Sequence, residues 1–214
     1  MTSPQSTIHT RLKHSTLYFI ASIGRGSSDL DTLLASTLEA GVDIIQLRDK
    51  QAETTDLLRA AETFRKRASE FSALFIVNDR VDVAVASGAD GVHLGQDDLP
   101  LASARRIGGQ QMIIGLSTHS QSQIDESSDS EADHIAVGPV YETPTKAGRP
   151  AVGTQLVSYA AGSSPRLFFA IGGIDIETLP AVIAAGATRV AVVRAIEQAD
   201  DPAATVRKMK AMLG

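Results

Sequence analysis

A chain of 214 residues with 43% hydrophobic content and a net charge of −5 is the size of one large domain, able to bury roughly 70% of its unfolded surface. The mild acidity argues against bulk electrostatic binding to nucleic acid or anionic lipid, though a locally basic pocket for a small anion stays open. The absence of cysteine removes disulfides, thiolate metal sites and thiol nucleophiles, and no apolar run approaches the length of a membrane span.

Residues 1–15, "MTSPQSTIHTRLKHS", are polar and lack the apolar core of a secretion signal. They read as a loose N-terminal arm before a catalytic domain over 16–214, and a cytoplasmic location is the default expectation. No Pro/Ser/Gly-rich linker divides the middle.

Eight short apolar, β-branched-rich stretches follow: "LYFIA" (17–21), "DIIQL" (43–47), "ALFIV" (73–77), "GVHL" (91–94), "MIIGL" (112–116), "HIAV" (134–137), "LFFAI" (167–171) and "RVAVV" (189–193). Successive starts lie 18 to 33 residues apart, room for one helix between parallel strands. Leu30, Leu33, Leu34 and Leu38 share one helical face, with Ser27 or Ser28 as cap and Gly41 as stop. Leu57, Ala61, Phe64, Ala68 and Phe71 form a second stripe after Thr54 and Thr55 as caps. "SQSQIDESSDSEAD" is the weakest helical segment, rich in serine. Asp175 is expected to cap a helix bearing Leu179, Val182 and Ile183 that ends at Gly186. Asp201-Pro202 opens the last helix, with Val206, Met209 and Leu213 on its inner face. Eight strand-helix units in about 200 residues predict a single (β/α)8 TIM barrel of the α/β class. A doubly wound open sheet is the alternative, but it needs fewer strands and a glycine-rich first turn that "SIGRGSS" only imitates.

Such a barrel works at the C-terminal ends of its strands, and there the unusual residues collect. Gln46, Arg48 and Lys50 are two apart, so an extended chain projects them from one face, continuing the interior row of Ile44 into the mouth. Asn78, Asp79 and Arg80 follow strand 3, "GQDD" (95–98) strand 4, Ser117 in "STH" strand 5, "GPVYETPTK" (138–146) strand 6, "GGI" (172–174) strand 7 and Arg194 strand 8. A single cluster of this kind also reads as a salt-bridged strand end, and "ND" as a helix cap; seven at one end favour a site. Arg48, Lys50 and Lys146 suit phosphate oxygens. Asp79 and Asp98 fit beside an anion only with a cation between, most simply Mg²⁺. Gly172 and Gly173 allow close approach of a second phosphate or make a tight turn.

"QLRDK", "ND", "DGVHLGQDD", "GLSTH", "GPVYETPTK" and "AIGGI" occur in the order and spacing of thiamine phosphate synthases, and the chain after its arm resembles that family. The resemblance implies joining of an aminopyrimidine methyl diphosphate to a thiazole ethyl phosphate, carboxylated in many organisms, with release of diphosphate. It implies a dissociative route in which the C–O bond breaks before the thiazole nitrogen attacks. Gln46, Arg48, Lys50, Asn78, Ser117 and Lys146 would contact the pyrimidine diphosphate, with Leu47 and Asp49 in the same stretch. Asp79 and Asp98 would hold one Mg²⁺. Thr143, Pro144 and Thr145 would meet the thiazole, whose phosphate would rest on Gly173, Val193 and Arg194. Arg48, Lys50, Ser117, Lys146 and His93 are the residues expected to act on the reaction, although His93 also reads as an interior histidine. The loop after strand 6 is expected to serve as a lid. Partners are the two small substrates, without nucleic acid or membrane, and assembly into a homo-oligomer is left open. Arg194 departs from the family's usual serine. Thiazole tautomerases on the same scaffold, with His119 as acid-base residue, and a non-catalytic thiamine-phosphate-binding paralogue are the alternatives.

Overall fold

A computed structural model describes residues 4–24, 27–144 and 150–214. Eight strands, β1 (Leu17–Ala21), β2 (Ile44–Leu47), β3 (Leu74–Asn78), β4 (Gly91–Leu94), β5 (Ile113–Thr118), β6 (His134–Val137), β7 (Leu167–Ile171) and β8 (Val190–Val192), pair in parallel in chain order. β8 returns to pair with β1, so the sheet closes into a barrel as predicted. β1, β4, β6 and β7 have the limits expected from the sequence, and the other four differ by one or two residues, chiefly β5, where polar Ser117 and Thr118 extend the strand beyond its apolar run.

Alternation along each strand sorts side chains into two layers. Tyr18, Ile20, Ile44, Leu74, Ile76, Ile113, Phe169 and Ala191 fill the barrel interior. Phe19, Ile45, Leu47, Phe75, Val77, Val92 and Ile114 face outward into a larger apolar layer. The helices bring the other half of that layer: α2 (Ser27–Glu39) its four leucines, and α3 (Thr54–Glu70) the buried stripe Leu57, Ala61, Phe64 and Ala68. The expected caps at Thr54 and Thr55 lie inside α3, whose preceding residue is Glu53. The ring continues through α4 (Val81–Ala86), α5 (Leu101–Gly108), α6 (Gln121–Glu126), α7 (Gly153–Ser163), α8 (Leu179–Ala184), α9 (Arg194–Glu197) and α10 (Pro202–Leu213). α6 is short, capped by the Ser120 hydroxyl on Gln123 N and followed by a single 3₁₀ turn. Asp201 caps α10 through Ala204 N, with Pro202 in its first turn as expected. Asp175 caps one turn before α8, accepting from the N–H groups of Glu177 and Thr178.

The segment read as a loose arm instead forms α1 (Pro4–His14). Leu12, 3% exposed, plugs the lower end of the barrel interior, and Arg11 donates to Ser72 O at 2.6 Å. Only Ile8 and Leu12 mark an apolar face in this segment, too few for periodicity to reveal it. Among the described residues no helix is long and apolar enough to cross a membrane.

The lower rim carries a repeated device. The residue before each of β2, β4 and β6 is an aspartate, and its carboxylate accepts a backbone N–H at the start of the preceding strand. Asp43 takes Leu17 N at 2.9 Å, Asp90 takes Phe75 N at 2.8 Å and Asp133 takes Ile114 N at 2.7 Å. Each is balanced by a cation: Lys210 at 2.8 Å, Arg65 at 3.2 Å and Arg105 at 2.8 Å. At β8 the corresponding positions are Thr188 and Arg189, and Arg189 donates instead to Lys13 O of α1 at 2.9 Å. Charge-assisted bonds to otherwise unsatisfied strand ends hold the register at the end of the barrel remote from the mouth. Asp133→Ala removes the nearer of the two carboxylates beside buried Arg105, leaving Glu131 at 3.5 Å, and leaves Ile114 N without its acceptor. The expected loss is about 2–4 kcal/mol, a fall in Tm of roughly 5–15 °C, with KM values unchanged. A Tm within 2 °C of wild type, by scanning calorimetry, would contradict this role.

Candidate active site

The opposite, C-terminal end of the barrel opens into a cavity of ≈ 280 Å³. Its floor is made by inward-facing residues of neighbouring strands. Gln46 is 1% exposed, and its side-chain N–H donates to the Tyr18 phenol at 2.5 Å. Burial pushes the Tyr18 phenol far up, so it stays protonated. His93 Nε2 lies 3.0 Å from Ser117 Oγ, and the Gln96 amide donates to Ser117 O at 2.6 Å. Gln46, Arg48, Asn78, His93 and Ser117 all line this cavity; of the row Gln46, Arg48 and Lys50 that alternation aims into the mouth, the first two reach the lining. Tyr18, which the sequence reading passed over, joins them; its position two before Ile20 on an otherwise apolar strand was the available signal.

Lys50, Asp79 and Asp98 gather on the rim beside Asn78 and His93. Lys50 Nζ lies 3.1 Å from Asp79 Oδ2, and Asp98 Oδ2 accepts from Gly95 N at 2.6 Å. Asp79 and Asp98 face each other closely enough to share a hydrogen bond. Burial first, and the facing Asp98 next, hold the Asp79 carboxyl above the usual range, opposed by Lys50. Asp79 also adopts the left-handed conformation, φ 60°, unusual for a non-glycine residue. The backbone thereby turns this carboxylate toward Asp98 against electrostatic preference, an arrangement suited to a shared proton or cation. Among the described residues no cluster of three or more histidine or acidic groups surrounds one point. A two-carboxylate site with remaining positions for phosphate oxygens and water matches the coordination habit of Mg²⁺.

The far wall is built by Gly172 and Gly173 after β7 and by Val193 and Arg194 after β8. Both glycines have positive φ, and a Cβ on Gly173 would meet Tyr141 Cβ at 2.7 Å. The turn therefore brings bare backbone to the cavity surface. Arg48 and Arg194 lie either side of the β1 end and both border a second recess, together with Pro144 and Glu197. The Glu197 carboxylate accepts from the Ser22 hydroxyl at 2.9 Å, tying the β1 loop to α9.

Not every expected contact faces the cavity. Leu47 is turned outward into the layer beneath the helices, as its odd place in the alternation dictates, so its side chain does not reach the mouth. Asp49 closes a turn by accepting from Gln51 N at 3.0 Å. Thr143 and His119 line the cavity, and His119 Nδ1 pairs with the carbonyl of Gly138. Thr145 and Lys146, the last two residues of the expected lid segment 138–146, lie outside the described residues.

A chain from Mycolicibacterium smegmatis named thiamine-phosphate synthase is 47% identical over 213 residues, covering 95% of this chain and 94% of the relative. One of the same name from Acidothermus cellulolyticus is 46% identical over 204 residues, covering 94% and 96%. The solved structure of a thiamine phosphate pyrophosphorylase from Pyrococcus furiosus superposes with a TM-score of 0.84 at 30% identity, covering 96% and 97% of the two chains. The family model described as thiamine monophosphate synthase matches residues 17–196, from the first strand of the barrel to the helix that follows the last, and the chain belongs to that family.

Proposed function

We propose that this chain is the transferase that joins an aminopyrimidine methyl diphosphate to a thiazole ethyl phosphate, yielding thiamine phosphate and diphosphate. The observation that carries the reading is the pair of facing carboxylates, Asp79 and Asp98, set beside Lys50 and the cavity residues Arg48, Asn78 and Ser117. Acids and donors so close together suit a diphosphate that arrives with its metal. Asp79 and Asp98 hold Mg²⁺, which when bound supplies Lewis-acid neutralisation of the departing diphosphate.

The remaining chemistry belongs to the chain's own groups. The C–O bond to the pyrimidine methylene breaks with its electron pair leaving on the diphosphate. Arg48 and Lys50 stabilise that growing charge as donors. The thiazole nitrogen then supplies the pair for the new C–N bond, so neither a protein nucleophile nor a strong base is needed. Gln46, fixed by Tyr18, orients the pyrimidine. The Gly172-Gly173 turn and Arg194 take the thiazole phosphate, and holding the second substrate over the first keeps water from the cationic centre. The tautomerase reading leaves the facing carboxylates without a purpose, and the relatives' names support neither it nor a non-catalytic paralogue.

The direct test mixes the purified protein with both substrates and Mg²⁺ and follows thiamine phosphate and released diphosphate. Turnover should vanish with EDTA, and Asp98→Ala should lower kcat/KM at least about 100-fold, ~2.7 kcal/mol of transition-state stabilisation. Metal-independent thiazole isomerisation, or ligand binding without turnover, would reject the synthase reading. Arg194→Ser should change KM for the thiazole phosphate several-fold while leaving that for the pyrimidine diphosphate within twofold. Equal effects on both substrates would remove Arg194 from the thiazole side.

A further inference from the structure

Beneath the cavity floor lies a histidine that the proposed reaction does not use. His134 on β6 is 0% exposed, and among the described residues neither of its ring nitrogens has a hydrogen-bond partner. Its surround is largely aromatic: Phe169 stands edge-on with ring centroids 5.5 Å apart, and Tyr18 lies at 6.2 Å. Burial lowers its pKa to about 4, against a weaker opposing effect of Asp133, so the ring is neutral with one N–H at pH 7. An unsatisfied buried donor is destabilising, and a phenylalanine carries no such donor. Retention of an imidazole here calls for a use.

The neighbouring strands supply one. In the barrel register His93 of β4 is level with Gly115 of β5, and Gly115 is level with His134 of β6. The two rings thus flank a residue without a side chain, their centroids 5.6 Å apart. A Cβ at position 115 would strike Nδ1 of His93 and, at 2.5 Å, both Nε2 and Cε1 of His134. The two nitrogens therefore converge on the niche that glycine leaves. On its other side His93 meets Ser117 Oγ at 3.0 Å, and Ser117 lines the cavity.

An anionic ligand fixes the direction of this chain of groups. For the Ser117 hydroxyl to donate its proton to a diphosphate oxygen, its oxygen must accept from Nε2–H of His93. Nδ1 of His93 is then the acceptor and needs a donor behind it. We infer that His134 is a positioning residue for the transfer: its Nε2–H reaches His93 Nδ1 through one water in the Gly115 niche and fixes His93 in the Nε2–H tautomer that presents Ser117 as a donor. Each bond in such a row polarises the next, so a buried neutral ring strengthens a contact made one residue away at the cavity. The inference rests on the diphosphate reading of the site.

His134→Phe separates this role from packing. The variant should keep or raise Tm, increase KM for the pyrimidine diphosphate about tenfold, and leave KM for the thiazole phosphate within twofold. In a Ser117→Ala background the same change should add nothing further. Nitrogen-15 NMR of the free protein should show His93 protonated at Nε2 in the wild type and as a mixture of tautomers in His134→Phe. A wild-type His93 protonated at Nδ1, unchanged His93 signals in the variant, or a folded variant with unaltered KM would overturn the proposal. Should the variant fail to fold, the wild-type tautomer decides. Should the wild type make no thiamine phosphate, the functional reading falls by itself, and the His93 tautomer still judges the link to His134.

Discussion

Two carboxylates brought face to face at the mouth of a barrel are the constraint around which the upper half of this molecule is arranged. Asp79 reaches that position through a left-handed backbone residue at the end of β3, a conformation that costs on the order of 1 kcal/mol or more. It persists because Asp79 N is anchored to His93 O of β4 at 2.9 Å, so closure of the sheet holds the strained turn. Among the described residues Lys50 stands against the pair, and burial makes the remaining repulsion stronger than it would be in water. The neighbouring donors and the cavity acquire a common purpose when a metal-bearing diphosphate bridges the two acids.

The barrel separates this tension from its supports. At the lower rim, Asp43, Asp90 and Asp133 each receive a strand N–H and a cation, so each of these three carboxylates is answered within the fold. At the upper rim, charges are left for a ligand to answer. Between the two ends, the apolar interior from Leu74 to Phe169 and the plug of Leu12 keep the staves rigid. A site assembled from several strand ends needs such rigidity, because small displacements of its donors erase most of their effect.

Period-two alternation is unambiguous where a strand ends in polar residues, and for that reason Gln46 and Arg48 were legible before any coordinates, while Ser117 was legible from its place at the end of its strand. The same rule places Leu47 outside the mouth, a consequence that carrying over a family's contacts residue by residue overlooks. Asp79 and Asp98 were legible as types, whereas their facing geometry depends on a positive φ that no pattern of residues announces. Helix α1 escaped because two apolar side chains cannot declare a periodicity, and its stability comes from partners distant in sequence. The row of His93, Gly115 and His134 was hidden for a similar reason: lateral register joins residues 93, 115 and 134, and only the closed sheet makes them neighbours.

Repulsion between Asp79 and Asp98, relieved by a divalent ion, is the central claim. Thermal unfolding of metal-free wild type and Asp79→Asn against pH measures it. A carboxyl held above its usual pKa stabilises the fold below the unfolded value, and that stability is lost as pH rises through the folded value. Asp79→Asn should therefore unfold a few degrees higher than wild type at pH 8, with the advantage shrinking towards pH 4. Millimolar Mg²⁺ should raise the Tm of the wild type and not that of the variant. An Asp79→Asn protein less stable than wild type at pH 8, or equal stabilisation of both by Mg²⁺, would contradict the claim.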